Sequence, residues 1–287
     1  MKKYTFQQSN ISEIQDCSYI QSIAHIHNNP SWSFPFHRHQ DLTDITFIKS
    51  GEGKYAVGNQ WIPIRQGDLL ILKPGTIHAI ISSENNPLDI WILAFSNFDH
   101  ACRIVGFNEV PFNEVSGFID TGEKSVSIGL LIESIARQGV DSENQFYINY
   151  HLTLALTKQI VDFFFKASAI PLQETNYIAD ATLAYIDDFY FKDVTLNVLS
   201  HKLHASCSCI SHELTSYYGV SPIKSLIDRR IGRAQWLLAS TDMTFTRIAQ
   251  SVGYDNLTHF SNLFINRTGM THRQFREQFF ESESSAV

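Results

Sequence analysis

The first third of the chain carries side chains that suit a small polar ligand. Imidazole and guanidinium groups follow one another at His37, Arg38 and His39, and further candidates lie at His78 and Trp91. Imidazole and guanidinium groups donate hydrogen bonds, and an indole ring offers a flat stacking face, which together suit a polar molecule such as a sugar. We therefore predict a ligand pocket whose contacts are Arg38, His39, His78 and Trp91, with Trp32 and Tyr55 as further candidates.

Two short stretches in the same region resemble the two motifs of cupin barrels. The first runs from His37 to Gly51 and the second from Gly67 to His78. In metal-dependent cupins two histidines, a carboxylate and a third histidine bind one divalent metal. The resemblance therefore implies a candidate metal set of His37, His39, Asp44 and His78. Asp44 replaces the usual Glu and Ser82 the usual Asn of these motifs, so we expect no cofactor and keep a metal-dependent cupin enzyme as the alternative.

Short apolar or alternating runs separated by turn residues extend from about Ile26 to Phe98. Such runs predict the strands of an antiparallel sandwich or barrel, which would bring the histidines together. The predicted strands are Ile45 to Ile48, Lys54 to Val57, Trp61 to Ile64, Leu69 to Leu72 and Ile90 to Phe95.

The apolar spacing changes to three and four residues between about Ser125 and Lys166, for example at Ile128, Leu131 and Ile132. This spacing predicts two amphipathic helices after the barrel. When two such helices are the only long ones in a module, an exposed apolar stripe often pairs with a second subunit. We therefore expect a homodimer.

A helical unit occurs twice in the last hundred residues. The stretch from Thr195 to Leu203 has the same polar start and apolar positions as the stretch 49 residues later, from Thr244 to Val252. The helices that follow also superpose if the second turn holds one more residue, and each copy closes with a glycine. Helix, turn and helix with a buried anchor is typical of a DNA-binding helix-turn-helix, although a generic helical hairpin gives the same periodicity.

Residues around the repeat resemble the AraC/XylS family of bacterial transcription regulators over about a hundred positions. The resemblance implies two helix-turn-helix units joined by one long helix, which the run from Pro222 to Ala239 fits. The matching positions are Gly219-Val220-Ser221-Pro222, Arg230, Ala234, Leu237, Leu238, Ile248-Ala249, Gly253-Tyr254, Phe260, Phe264, Gly269-Met270-Thr271 and Phe275-Arg276.

The same resemblance assigns residues to the DNA interface. Bases would be contacted by Ser208, Ser211 and His212 in the first unit and by Leu257, Thr258, Ser261 and Asn262 in the second. Asn262 is the best direct reader because an amide pairs with adenine. Phosphate contacts would come from Arg229, Arg230, Arg233, Arg267, Arg273 and Arg276. The chain departs from the family pattern at His204, Ile265 and His272, which replace a turn glycine, a lysine and a proline.

Charge is distributed unevenly along the chain. The formal net charge is −7, with 12 basic and 18 acidic residues up to Asn176. From Ser200 to Gln278, by contrast, 9 basic residues face 5 acidic ones. Phosphate binding depends on Lys and Arg, so this distribution places DNA binding at the C-terminal end. The acidic first half disfavours a purely architectural DNA protein, which would carry a broadly basic surface.

These observations predict an α+β fold: an N-terminal cupin-like antiparallel β-barrel with two following helices, and an all-α C-terminal domain of two helix-turn-helix units joined by a long helix. The predicted ranges are 1–166 for effector binding and dimerisation, 167–176 for the linker and 177–287 for DNA binding.

The expected function is that of a cytoplasmic transcription regulator without enzymatic activity. We expect an activator that binds double-stranded promoter DNA, responds to a sugar-like effector and contacts RNA polymerase. A metal-responsive regulator that uses the four cupin-type residues remains the alternative. No membrane segment is expected, and Cys17, Cys102, Cys207 and Cys209 fit reduced structural thiols better than a zinc or disulfide framework.

Overall fold

The chain folds into an antiparallel β-structure followed by helices, which confirms the predicted α+β class. The computed structural model describes residues 2–5, 19–27, 32–107, 117–122, 125–138, 143–164, 168–169 and 176–277.

Two sheets build the N-terminal half of the described chain. One contains seven strands in the order β1-β2-β9-β4-β7-β10-β11, and the other contains four in the order β3-β8-β5-β6. The strands are Lys2–Thr5 (β1), Tyr19–Ile26 (β2), Ser33–His37 (β3), Thr43–Ser50 (β4), Glu52–Val57 (β5), Gln60–Arg65 (β6), Asp68–Leu72 (β7), His78–Ser82 (β8), Asp89–Ser96 (β9), Gly117–Asp120 (β10) and Ser168–Ala169 (β11).

Strand β4 shows how the large sheet is covered on both faces. Side chains alternate between the two faces of a strand. Ile45 and Phe47 pack into the apolar cluster that contains the following helices, whereas Ile48 belongs to the cluster between the sheets. Asp44 and Thr46 share the face of Ile48 and are also buried. Polar groups therefore point into the barrel from a strand that is buried from Thr43 to Ile48.

Three helices follow or flank the strands: Phe98–Ile104 (α1), Ser125–Gln138 (α2) and Glu143–Phe164 (α3). The two predicted amphipathic helices, α2 and α3, cover the outer face of the large sheet through residues such as Ile132 and Leu156. Helix α1 is short and was not predicted. Over the described ranges, no helix combines the length and apolar character that crossing a bilayer requires.

Six helices form the C-terminal part of the described chain: Tyr177–Phe189 (α4), Leu196–Leu203 (α5), Cys207–Tyr218 (α6), Pro222–Ser240 (α7), Phe245–Ser251 (α8) and Leu257–Thr268 (α9). One more helical turn spans 272–277. The predicted linker, 167–176, lies outside the described residues except for 168–169, which pair with β10, and Asn176, which caps α4.

The internal repeat is present in three dimensions. Thr195 and Thr244 cap the first helix of each unit by accepting hydrogen bonds from the backbone N–H groups of Val198 and Arg247. The second helix of each unit ends at a glycine in the left-handed conformation, as the sequence predicts. The four predicted anchor residues are fully buried, and they are Ile210, Leu214, Phe260 and Phe264.

The turn of the first unit holds a strained residue. His204, which replaces the family's glycine, ends α5 with a φ of 52°, and the corresponding Gly253 in the second unit has a φ of 88°. A side chain in this left-handed region costs roughly 1–2 kcal/mol. The turn therefore keeps its geometry despite the substitution, because the buried anchors of α6 hold the second helix in place.

The helical part is docked on the barrel through helix α7. One continuous apolar cluster runs from barrel residues such as Ile26 and Leu72 to helical residues such as Ile231 and Leu238. Gly232 lies in the middle of α7 and faces strand β3, where a Cβ on it would lie only 2.8 Å from the Cδ of Pro35. Glycine costs a helix interior about 1 kcal/mol relative to alanine. At this position it permits the close approach of helix and sheet.

Candidate ligand pocket and DNA-reading surface

A cavity of about 110 Å³ lies between the two sheets of the barrel. Its walls are mostly apolar and include Trp32, Tyr55 and Ile80. One end is polar and carries the side chains that the cupin resemblance singled out, namely His37, His39, Asp44 and His78. A small molecule or ion with hydrogen-bonding or ligating atoms fits such a lining.

The four polar side chains converge on one point. One potential ligand atom from each of them lies within 4.8 Å of the others. Asp44 is central, since its Oδ2 is 3.3 Å from Nε2 of His39 and 3.4 Å from Nε2 of His78. Its second carboxylate oxygen, Oδ1, is buried and has no hydrogen-bond partner among the described residues. A buried carboxylate oxygen without a partner is unfavourable unless a ligand completes the site.

Backbone carbonyls orient two of the imidazoles. Nδ1 of His37 lies 2.9 Å from the carbonyl oxygen of Pro35, and Nδ1 of His78 lies 2.9 Å from that of Thr76. A carbonyl only accepts hydrogen bonds, so each Nδ1 must carry the proton. These hydrogen bonds fix the orientation of both rings, so that Nε2 of His78 faces the Asp44 carboxylate at 3.4 Å.

Burial and mutual contact set the charges in the cavity. Burial, together with the neighbouring His78 and His39, lowers the pKa of His37 well below its ordinary value. Burial also opposes ionisation of Asp44, but contacts from His39 and His78 outweigh it and hold the pKa of Asp44 below its usual range. Burial would lower the pKa of His39, yet the contact with Asp44 raises it overall. The cavity therefore holds an ionised carboxylate beside at least one neutral imidazole.

The cavity contains two of the four predicted effector contacts, His39 and His78. Trp91 lies on the opposite face of strand β9, where its ring stacks on His25 at 4.0 Å. Ile92 and Ala94 of the same strand line the cavity instead, as the alternation along a strand requires. Arg38 points out of the barrel and donates a hydrogen bond to Asp188 on α4 at 2.9 Å. The further candidates Trp32 and Tyr55 both line the wall.

Several lining residues were not predicted, and Thr46 and Trp236 are the two of these with polar or aromatic side chains that matter most for a ligand. Thr46 lies two positions after Asp44 on β4, so the two-residue alternation of the strand contained the signal for it. Trp236 belongs to helix α7 of the DNA-binding part and lines the cavity from the helical side. It became a pocket residue only through the docking of α7 on the barrel, which the local sequence does not encode.

The predicted base-reading residues lie on the second helix of each unit. Ser208, His212, Leu257, Thr258 and Asn262 are exposed, and Ser211 and Ser261 are half-buried. In a helix-turn-helix, side chains near the start of this helix contact base edges. The exposed side chains on α6 and α9 are therefore available to DNA while the helical part is docked on the barrel, and their base contacts remain predictions.

The six arginines predicted to bind phosphate differ in their surroundings. Arg229 forms an ion pair with Asp187, and Arg267 pairs with Asp228 at 3.0 Å. Backbone carbonyls of Tyr190 and Lys192 accept hydrogen bonds from Arg230, and those of Leu238, Thr241 and Met243 accept them from Arg276. The guanidinium of Arg233 stacks over the ring of Trp236 at 4.0 Å, and Arg273 is exposed. These contacts tie helices together, and the phosphate role remains a prediction.

Two family models match this chain. A model described as an AraC-like ligand binding domain matches residues 19–139, and a model described as a helix-turn-helix domain matches residues 199–278. The first range contains the cavity residues of the barrel, and the second contains both recognition helices.

Similar proteins cover most of the chain. The HTH-type transcriptional regulator YdiP of Escherichia coli is 25% identical over 270 residues, which covers 88% of this chain and 84% of that protein. The HTH-type transcriptional activator RhaS of Escherichia fergusonii is 22% identical over 257 residues, which covers 86% of this chain and 89% of that protein. These relatives are transcription regulators, a class without enzymatic activity, so the metalloenzyme alternative is rejected.

A solved structure shares the two-part architecture. Fatty-acid-bound ToxT from Vibrio cholerae superposes with a TM-score of 0.51 at 13% identity, covering 88% of this chain and 93% of that one. At this identity the likeness supports the fold alone.

Proposed function

This chain belongs to the AraC/XylS family of DNA-binding transcription regulators, and on that premise we propose that it activates promoters in response to a small polar effector held in the barrel. The proposed partners are double-stranded promoter DNA, RNA polymerase and a second copy of the chain, in the cytoplasm. The activator role is supported by the RhaS relatives, whose name describes a transcriptional activator.

The observation that carries this proposal is the position of Trp236. It lines the barrel cavity, yet it belongs to α7, the helix that joins the two helix-turn-helix units. A ligand in the cavity therefore touches the DNA-binding part directly. A ligand shifts the equilibrium between two conformations only if it makes different contacts in each. Trp236 belongs to the cavity wall only while α7 is docked on the barrel, so the docked and undocked conformations offer a ligand different contacts.

Electrostatics supports the same coupling between the two parts. Arg229 on α7 contributes to the lowered pKa of His37, after burial and the two neighbouring histidines. Asp187 on α4 contributes to the raised pKa of His39, after burial and Asp44. Charges on the two DNA-domain helices are thus close enough to act on the cavity, and a charged or polar occupant acts on them in return.

The effector class that we propose is a sugar or a related polar carbon source. Imidazoles and Thr46 supply hydrogen-bonding groups at one end of the cavity, and Trp32 and Tyr55 supply flat apolar faces. Both features suit the polar edge and apolar face of a sugar ring. The volume of about 110 Å³ favours a compact ligand.

The proposed dimer contact is the outer face of α2. Val126 and Leu130 lie one helical turn apart and are 67% and 59% exposed. The opposite face of the same helix is buried against the sheet through Ile128 and Ile132. Neighbouring exposed apolar side chains on a helix that is already anchored suit a contact with the same helix of a second copy.

DNA reading is tested by replacing Asn262 with alanine in the full chain. Operators are first selected from random duplexes with the unchanged protein, and affinities are then measured by fluorescence anisotropy for each single-base variant. We expect Asn262→Ala to lose about 1–3 kcal/mol of discrimination at one base pair, because an amide pairs bidentately with adenine.

Asn266 provides a matched control for this test. It is exposed on the same helix one turn later, away from the start of α9 where base contacts concentrate. Asn266→Ala should leave the preference for each base unchanged. An equal loss of affinity for every sequence in the Asn262→Ala protein would contradict a base-reading role for Asn262.

A further inference from the structure

We infer that a second ligand site lies outside the barrel, in the groove between the four-stranded sheet and helix α7. Its ligand is a small uncharged aromatic molecule with one hydroxyl or N–H group, such as a phenol or an indole. The groove encloses about 290 Å³, near the lower end of the range for small-molecule sites. It is distinct from the proposed effector cavity, and the inference does not rest on the proposed function.

The alternation along strand β8 separates the groove from the barrel cavity. His78 and Ile80 line the cavity, whereas Ala79 and Ile81 line the groove on the other face of the sheet. Ala79 is 2% exposed and Ile81 is 44% exposed, so the groove has a buried part and an open side. Helix α7 forms the opposite wall, at Gly232 among other residues. A molecule in the groove therefore contacts both the barrel and the DNA-binding part.

The sheet side of the groove is aromatic. Phe34 and Phe36 of β3 and Trp61 of β6 line it. The rings of Phe36 and Trp61 meet edge to face with their centroids 5.8 Å apart, yet Trp61 remains 39% exposed. Aromatic rings pack favourably in offset or edge-to-face arrangements. A flat aromatic molecule therefore suits this wall and covers apolar surface that the fold leaves open.

The helix side contributes one buried hydroxyl group. Ser225 on α7 lines the groove and is 7% exposed. Its Oγ is buried and has no hydrogen-bond partner within the described part of the chain. A buried hydroxyl in this state is unfavourable unless a ligand or an ordered water completes it. Because a hydroxyl both donates and accepts, it can pair with the O–H of a phenol or the N–H of an indole.

The charged residues of the groove favour an uncharged ligand. Asp228 and Arg267 both line it and form an ion pair at 3.0 Å. An anion would compete with Asp228 for Arg267, and a cation would compete with Arg267 for Asp228. The remaining cation of the lining, Lys224, is exposed to solvent. A charged ligand would also lose hydration on entering an apolar groove, whereas an uncharged one avoids both costs.

The test titrates the full chain with phenol and with toluene, in which a methyl group replaces the hydroxyl, and measures affinity by calorimetry. We expect one phenol per chain. Ser225→Ala should weaken phenol binding about 2- to 13-fold, the value of one net hydrogen bond between neutral groups. The same variant should not weaken toluene binding, because toluene makes no hydrogen bond.

Ile81→Trp places a large ring at the open side of the groove and should abolish binding of both compounds. Ile104→Trp is the matched control, since Ile104 on α1 is also 44% exposed but does not line the groove. It should leave both affinities unchanged. Circular dichroism shows whether each variant is folded, and Ser225→Ala locates the site if Ile81→Trp is not.

Absence of phenol binding, or phenol binding that either groove variant in its folded form fails to weaken, overturns the inference. Tighter binding of benzoate than of phenol overturns the uncharged class of ligand. Each of these failures leaves the proposed regulatory function untouched, because neither the barrel cavity nor DNA takes part in the titration.

Discussion

Replacing Gly232 with valine is expected to separate helix α7 from strand β3 and so to undock the DNA-binding part from the barrel. A Cβ at this position would lie 2.8 Å from Cδ and 3.1 Å from Cγ of Pro35, a rigid ring that cannot turn away. Overpacking of this kind typically costs about 1–3 kcal/mol, and 1.4 kcal/mol changes an equilibrium tenfold. We therefore expect the equilibrium constant for docking to fall roughly 5- to 150-fold.

Undocking is measured by the radius of gyration in solution scattering and by fluorescence of Trp236, whose emission should move to longer wavelength on exposure to water. Gly232→Ala should give a smaller change, because only the first carbon is added. Gln250→Val places the same β-branched side chain on the exposed face of α8 and controls for the general effect of a valine within a helix. A Gly232→Val protein as compact as the unchanged chain would show that α7 does not depend on this close approach.

Replacing Asp187 with alanine should cause the largest loss of stability in the helical part. Asp187 on α4 is paired with Arg229 on α7, and their side chains are only 9% and 14% exposed. Removing one partner of a buried ion pair leaves an uncompensated charge and costs about 3–5 kcal/mol. Urea unfolding followed by circular dichroism of the helices should therefore shift to a clearly lower midpoint.

The exposed pair between Lys158 and Asp162 on α3 is a matched control for that loss. Its side chains are 47% and 50% exposed, and it is an i, i+4 contact on one helix. Asp162→Ala removes the same chemical group and should cost no more than about 0.5 kcal/mol. Equal losses for the two aspartates would mean that burial does not strengthen the Asp187 contact.

The strands and the helical repeat could be predicted from the sequence because each has a local signal. Alternation gives the barrel strands, and the caps Thr195 and Thr244 mark equivalent starts of the two units. The short helix α1 was missed because seven residues are too few to show a helical period. His204 shows that the fold tolerates the loss of a turn glycine when buried anchors fix the following helix.

The cavity could be predicted only in part. The cluster of His37, His39, Asp44 and His78 could be predicted, because the spacing of these residues along the chain matches the cupin motifs. Trp91 was expected in the pocket because of its residue type, whereas the register of β9 turns it to the other face. Arg38 and Trp236 owe their positions to the docking of two separate parts of the chain. Such contacts depend on tertiary packing, which a periodic pattern does not contain.

The central claim is that the content of the barrel cavity acts on the DNA-binding part through Trp236. A direct test fills the cavity with a side chain of the protein itself. Ala24 lines the cavity on β2, and Ala24→Leu adds bulk within the space of about 110 Å³ that Trp236 also lines. The measurement is the affinity for a selected operator of the unchanged chain, Ala24→Leu, Trp236→Ala and the double variant.

We predict that Ala24→Leu changes operator affinity at least fivefold, the lower end of the roughly 5–150-fold range of allosteric coupling. The change should disappear when Trp236→Ala is already present, because the added side chain then has no indole to displace. Equal affinity of Ala24→Leu and the unchanged chain, or a change that persists without Trp236, would contradict the claim.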